Sequence, residues 1–189
     1  MSQPYNRDPA DSLALVPVSD VLLDEVTQAA WDSPRKRHML RFHEFSEPVQ
    51  RMLNAVEPGT YVRPHRHVQP DKPEAFVVLR GAVLVVRFGD DGTPLEGLAV
   101  SEEGPVRAAE VPPRAWHCFL VLRAGTVLFE VTQGPYDAAT NKQFAPWAPA
   151  EEDAEGAHAF IAELRRYFDP LVPEVAAMNR IEAEEDEIC

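Results

Sequence analysis

An all-β sandwich or barrel with a helix at each end is the fold class this sequence predicts, on three observations. Short apolar segments follow one another from Pro48 to Thr132. Turn-forming residues divide them at regular intervals. Apolar residues at helical spacing occur only before and after this run.

The elements follow in order. Residues 1–18 are polar and carry prolines, and a poorly ordered N-terminus is expected there. Ser19 or Asp20 can cap a helix, since a short oxygen-bearing side chain accepts from the free N–H groups of the first turn. Val21, Leu22, Glu25, Val26 and Ala29 follow at helical spacing, and Pro34 sets an end near Trp31. Ser33 to Arg37 reads as a basic turn. The predicted strands are 48–56, 61–66, 75–80, 83–88, 95–101, 106–111, 117–122 and 126–132. Between them lie Glu57-Pro58-Gly59, Gln69-Pro70-Asp71, Gly81, Gly89 to Gly92, Glu103-Gly104-Pro105, Pro112-Pro113 and Ala124-Gly125. Asp91-Gly92 is a hairpin signal, because both residues tolerate the positive φ of a tight two-residue turn. Beyond Gly134-Pro135, residues 136–149 form an irregular segment rich in proline and aromatics. Residues 150–168 read as a second helix with Ala154, Ala157, Phe160, Ile161 and Leu164 on its apolar face, stopped by Asp169-Pro170. One domain over 19–150, including the N-terminal helical element, a C-terminal helix over 151–168 and an acidic tail over 169–189 describe the organisation.

The chain has 189 residues, 45% of them apolar, which suits one domain with its own core. Its net charge of −13 argues against nucleic acid, where basic patches supply most of the affinity. No apolar run is long enough to span a membrane. Residues 1–12 lack a basic region followed by an apolar stretch, so no secretory signal is read there and a cytoplasmic location is expected. Cys118 and Cys189 do not form a disulfide framework. The acidic residues near the C-terminus read as a solvated face and tail.

His65-Arg66-His67 lies at the end of a predicted strand. Residues i and i+2 share one face of a strand, so both imidazoles can meet one ion at the roughly 2.0–2.1 Å that a metal–nitrogen bond requires. Gly59 precedes this pair, Glu74 opens the next strand, and Gly81 follows it. Pro112 then precedes His117 at the mouth of a later strand. Glycine, H-x-H, glutamate, glycine, then a proline turn and a third histidine is the order of the two cupin motifs. The chain therefore resembles the cupin superfamily, and within it the WbuC-type cupin-fold metalloproteins found among polysaccharide-biosynthesis genes. That likeness is carried by residues 33–37, 48–55, 57–67, 71–81 and 144–149, and covers roughly residues 19–153.

The resemblance implies a cupin-type double-stranded β-helix (jelly-roll) barrel. It implies one divalent metal ion on His65, His67, Glu74 and His117, and a role in polysaccharide (O-antigen-like) biosynthesis. Three departures stand out. The segment between His67 and Glu74 is longer than the usual cupin one and makes Asp71 a rival carboxylate. Arg114 stands where the second motif usually has glycine, and Val121 where it has asparagine. Imidazoles with one carboxylate suit Zn, Fe(II), Ni, Mn or Co alike. Cys118 follows His117 and points to the opposite face, so no thiolate joins the set.

Gln50 and Asn54 are candidates to hold the outer nitrogens of the ligating rings. His43 is a candidate pocket residue, whereas His38 and His158 read as surface. Arg63, Arg66, Arg80 and Arg114 are the cations nearest the motifs, and an arginine there can hold a carboxylate or phosphate. Trp116, Tyr61, Phe76 and Phe119 read as core. Tyr136, Asp137 and Lys142 are placed to fold over one barrel end. Two function classes follow: a metal-dependent enzyme acting on a sugar or small carboxylate, and a non-catalytic metal-bearing module that binds or senses a sugar or small anion. Pairing into a homodimer through an open edge strand is the expected assembly.

Overall fold

The computed structural model describes Tyr5 and residues 15–173. Most of the N-terminal segment, the acidic tail from residue 174 onward and Cys189 lie outside the described residues. Helix α1 runs Asp20–Asp32, with the Ser19 hydroxyl accepting from the Leu22 N–H at 3.4 Å. Ten strands follow: β1 Arg37–Arg41, β2 Val49–Val56, β3 His65–Arg66, β4 Glu74–Arg80, β5 Ala82–Phe88, β6 Pro94–Ser101, β7 Ala108–Val111, β8 Trp116–Val121, β9 Thr126–Gln133 and β10 Gln143–Phe144. Helix α2 runs Ala154–Phe168. No described helix is long and apolar enough to cross a membrane.

The strands form two five-stranded antiparallel sheets, ordered β1-β2-β9-β4-β7 and β10-β3-β8-β5-β6. From β2 onward the chain changes sheet at every connection except the β5–β6 hairpin, which turns through Asp91-Gly92. This alternation wraps the two sheets into a mainly β, cupin-type double-stranded β-helix with a helix at each end. Strand parity then sorts the side chains into three apolar layers. Phe76, Val78, Val83, Val100, Val111 and Leu128 fill the space between the sheets. Leu53, Ala55 and Val127 face outward from the first sheet onto Leu22, Leu23, Val26 and Ala30 of α1. Leu84, Val86, Phe88, Trp116, Cys118 and Leu120 face outward from the second sheet onto Leu164 and Phe168 of α2. Both faces of β5 and β8 are thus covered, which is why these strands read as continuous apolar runs.

Several expected boundaries move. Residues 37–41 form β1 instead of ending a basic turn, paired so that Arg37 faces Val56 across the ladder. The strand expected over 61–66 shrinks to two residues, and Pro64, which has no N–H to give, precedes it. The segment read as irregular contains β10, paired to β3. Helix α2 starts at Ala154, not Ala150, because the Asp153 carboxylate accepts from the Gly156 N–H at 2.9 Å and fixes the cap one residue earlier. Gly81 adopts φ +78° with no room for a side chain against Thr126, so the tight β4–β5 turn requires glycine.

Candidate metal centre

Four side chains meet on the inner wall of the barrel. His65 and His117 are register partners on β3 and β8, His67 follows β3 directly, and Glu74 opens β4 in the opposite sheet. All four are buried. One donor atom from each lies within 4.8 Å of every other. Opposite ligands on one ion stand about 4.2 Å apart at the bond lengths noted above, so small side-chain adjustments bring all four onto a single ion.

Backbone carbonyls orient the rings. His65 Nδ1 faces the Arg63 carbonyl oxygen at 3.0 Å, His117 Nδ1 faces that of Ala115 at 2.9 Å, and His67 Nδ1 faces that of Asn141. Each contact calls for a proton on Nδ1, which leaves Nε2 as a bare electron pair aimed at the cluster. His65 Nε2 and His117 Nε2 are buried with no hydrogen-bond partner. His67 carries the complementary sign: its Nε2 lies 2.8 Å from Glu74 Oε2 while its Nδ1 also faces an oxygen. A neutral imidazole has one N–H for two acceptors, and a cation between Nε2 and the carboxylate removes that conflict. The donor set therefore fits a divalent ion.

The charges agree. Burial, then the charges of Lys142 and His117, holds the His65 imidazole well below its ordinary value, so the ring stays neutral and able to ligate. Burial alone pushes the Glu74 carboxyl up. The closeness of the His117 and His67 rings, then of His65, outweighs it and holds the group well below the usual carboxylate range.

His65, His67 and Glu74 open into a cavity of about 680 Å³ between the sheets. His43, Gln50, Asn54 and Arg63 line it as well. None of these four side chains holds a ligating ring by hydrogen bond: the rings lean on backbone carbonyls instead, that of Arg63 among them. Gln50 Nε2 donates to the Glu47 carbonyl at 2.8 Å and steadies the loop before β2. His43 Nδ1 packs against the Arg51 backbone, 2.8 Å from its nitrogen. Asn54 Nδ2 donates to Glu130 Oε2 at 2.6 Å. Arg63 Nη2 donates to the Ala145 carbonyl at 3.0 Å.

Asp71 and Arg114 stand apart from the cluster. They pair with each other at 2.6 Å on the surface, where the Asp71 side chain is 40% exposed. Arg114 adopts φ +67°, the conformation that explains why glycine is usual at this turn, and its N–H reaches the His67 carbonyl at 3.2 Å. Arg80 pairs with Asp24 of α1, and Arg66 lies over the Trp116 ring. His158 is exposed, but His38 lines the cavity, contrary to the surface expectation. Phe119, Tyr136 and Lys142 also line it, and Asp137 does not.

Glu130 is a cavity residue that sequence reasoning missed, as are Arg37 and Arg41. It sits on the inner face of β9, opposite Met52 of β2 and Phe76 of β4. Its side chain lines the cavity. Burial, then the charge of Glu74, pushes its carboxyl up to about 8. The signal was an acid in an otherwise apolar strand, Val127 to Val131, at an inward-facing position of the alternation.

A family model described as "Domain of unknown function (DUF6016)" matches residues 18–99. No curated protein matches the chain. Among solved structures, the capsular polysaccharide assembling protein CapF from Staphylococcus aureus is similar at 18% identity and a TM-score of 0.48, over 56% of this chain and 28% of that one. KdgF from Halomonas sp. is similar at 17% identity and 0.44, over 57% of this chain and 87% of that one. Oxalate decarboxylase from Bacillus subtilis is similar at 15% identity and 0.44, over 57% and 27%. The chain thus matches under a third of the length of CapF. Likenesses this distant carry no chemistry across.

Proposed function

We propose that the protein holds one divalent metal ion through His65, His67, Glu74 and His117, and that this centre serves a small molecule entering the adjoining cavity. One observation carries the reading: three imidazoles and a carboxylate converge in a buried site, and two of the imidazole nitrogens have no partner there. Zn, Fe(II), Ni, Mn and Co all suit the donors. A divalent ion supplies polarisation of a carbonyl or activation of water.

Glu130 favours the enzymatic reading over a purely binding or sensing module. A carboxyl that burial pushes up, facing the same cavity as the metal ligands, is placed to give or take a proton at a bound molecule. Asn54 holds one of its oxygens and so sets its direction. The substrate class is a sugar or small carboxylate. Placement with WbuC-type proteins of polysaccharide biosynthesis rests on the sequence motifs. The sheets end on β1 and β7, and on β6 and β10. The β6 edge, with Leu95 and Leu98 exposed, is where a homodimer would pair.

Elemental analysis of the full chain, purified without a histidine tag at neutral pH, tests the centre. About one equivalent of metal is expected in the wild type, and almost none in His65→Ala or His117→Ala. Unchanged occupancy in those variants would sink the assignment.

A further inference from the structure

The protein is strongly acidic, at −13 overall, yet its metal-site cavity is not. Arg35, Arg37, Arg41, Arg63 and Lys142 on its wall outnumber Glu74, Glu130 and Glu151. Glu151 is already taken, since it pairs with both Arg35 and Arg37. Arg41 lies over the Phe45 ring and donates to the His43 carbonyl at 3.1 Å, and Arg63 is tied to Ala145. Lys142 differs from all of these, because it makes no hydrogen bond or ion pair with any described residue.

Lys142 is also held beside the metal ligands. The carbonyl of its neighbour Asn141 faces the His67 ring, and the Asn141 side-chain oxygen accepts from the buried Lys72 ammonium at 2.6 Å. The residue that precedes Lys142 is therefore tied to the cluster through its carbonyl and to Lys72 through its side chain. The charge of Lys142 acts on both His65 and Glu130. A divalent ion would add two more positive charges to the same space. A cleft of one sign between low-dielectric walls concentrates ligands of the other sign.

We infer that the cavity takes a small anionic molecule, carboxylate- or phosphate-bearing, whose charge is met by Lys142 while its neighbouring oxygen atoms face the four-ligand cluster. This deepens the metal-centre reading above and rests on it. A neutral sugar would leave the cavity's positive excess unanswered. The cavity volume lies well inside the range of small-molecule sites, so the anion can carry a body of several carbons against Phe119, Met52 and Val62.

The full chain is loaded with Co(II), its metal content is measured, and its visible spectrum is followed against glycolate, inorganic phosphate and ethylene glycol. Ethylene glycol is the neutral counterpart of glycolate. Glycolate or phosphate is expected to change the spectrum saturably, and ethylene glycol to leave it unchanged. Lys142→Ala should weaken the anion roughly tenfold with metal content unaltered, as loss of one charge-assisted contact implies. Lys142→Arg should restore most of that loss, and Arg80→Ala, which lies off the cavity, should bind as the wild type does. The tighter of the two anions identifies the source as carboxylate or phosphate. The inference is overturned if the metal-loaded chain binds neither anion, if Lys142→Ala binds them unchanged, or if ethylene glycol binds as well as glycolate. A chain that takes up no metal overturns the metal reading and this inference with it, so the two failures are told apart.

Discussion

Asp71 and Glu74 sit three positions apart after His67, and only Glu74 turns inward. Asp71 spends its charge on Arg114 at the surface, while Glu74 lies buried with one oxygen 2.8 Å from His67 Nε2. Glu74→Ala is therefore expected to lower bound metal at least tenfold, the size of effect that loss of a charged donor produces, and Asp71→Ala to leave it unchanged. Metal analysis of the two variants side by side checks this, and the reverse pattern would reassign the fourth ligand. Glu130 gives a prediction with a sign. It titrates near 4.5 in the unfolded chain and near 8 in the folded one. Between those values the folded chain keeps a proton that the unfolded chain has released, so this group makes stability fall as pH rises from 4.5 toward 8. Glu130→Gln carries no such charge and preserves an oxygen for Asn54. In metal-free protein its melting temperature should exceed that of the wild type at pH 8, with the gap closing as pH falls toward 4.5. A gap that does not change with pH would remove Glu130's titration as its cause. Sequence alone favoured Glu74 but left Asp71 as its rival, and it passed over Glu130, because ligation depends on where a loop returns and burial on what faces a strand.

Among the elements, α2 shows how a legible pattern can still leave its partner unnamed. Of the apolar face expected from Ala154, Ala157, Phe160, Ile161 and Leu164, Ala157 and Leu164 are buried, Phe160 and Ile161 half-buried and Ala154 exposed, while Phe168 joins the face. The surface it covers, the outer face of β5 and β8, could not be assigned from periodicity. Gly97 of β6 is part of the fit: a Cβ there would stand 2.5 Å from the Phe168 ring. Phe168→Ala is expected to cost about 3–5 kcal/mol in urea unfolding, the usual range for emptying a buried aromatic site. Gly97→Ala should cost about 1–3 kcal/mol through overpacking. Neither should alter metal content, since α2 packs on the face opposite the histidines, and metal loss in either folded variant would contradict that separation. The missed strands have plain causes. β1 begins with Arg37-His38, whose polarity hides a ladder made by backbone groups, and β10 is two residues long, too short for any alternation to register.

For the whole molecule, the ligands come from both sheets: Glu74 from the first, His65 and His117 from the second. An ion that binds all of them favours the folded state over the unfolded chain, where no such site exists. At a free-metal concentration one hundred times the dissociation constant the gain is about 2.7 kcal/mol. For a chain of this size that is a melting shift of roughly 5–10 °C. Metal removal with EDTA should lower the melting temperature of the wild type by that order and leave His65→Ala unmoved. An equal EDTA effect on both proteins would place the stabilising ion elsewhere.

The order of short apolar strands, the two flanking helices and the histidine spacing were all written in the chain. These are local matters: alternation, capping and turn chemistry act over a few residues, and H-x-H sets two rings on one face without help. Tertiary structure decided which carboxylate joins them, that the rings lean on backbone carbonyls and not on Gln50 or Asn54, and that Glu130 and Lys142 share the cavity. Those outcomes depend on contacts between residues far apart in sequence, such as Asn54 with Glu130 or His67 with Asn141. Only the wrapping of two sheets around one space brings such residues together, and no period along the chain records it.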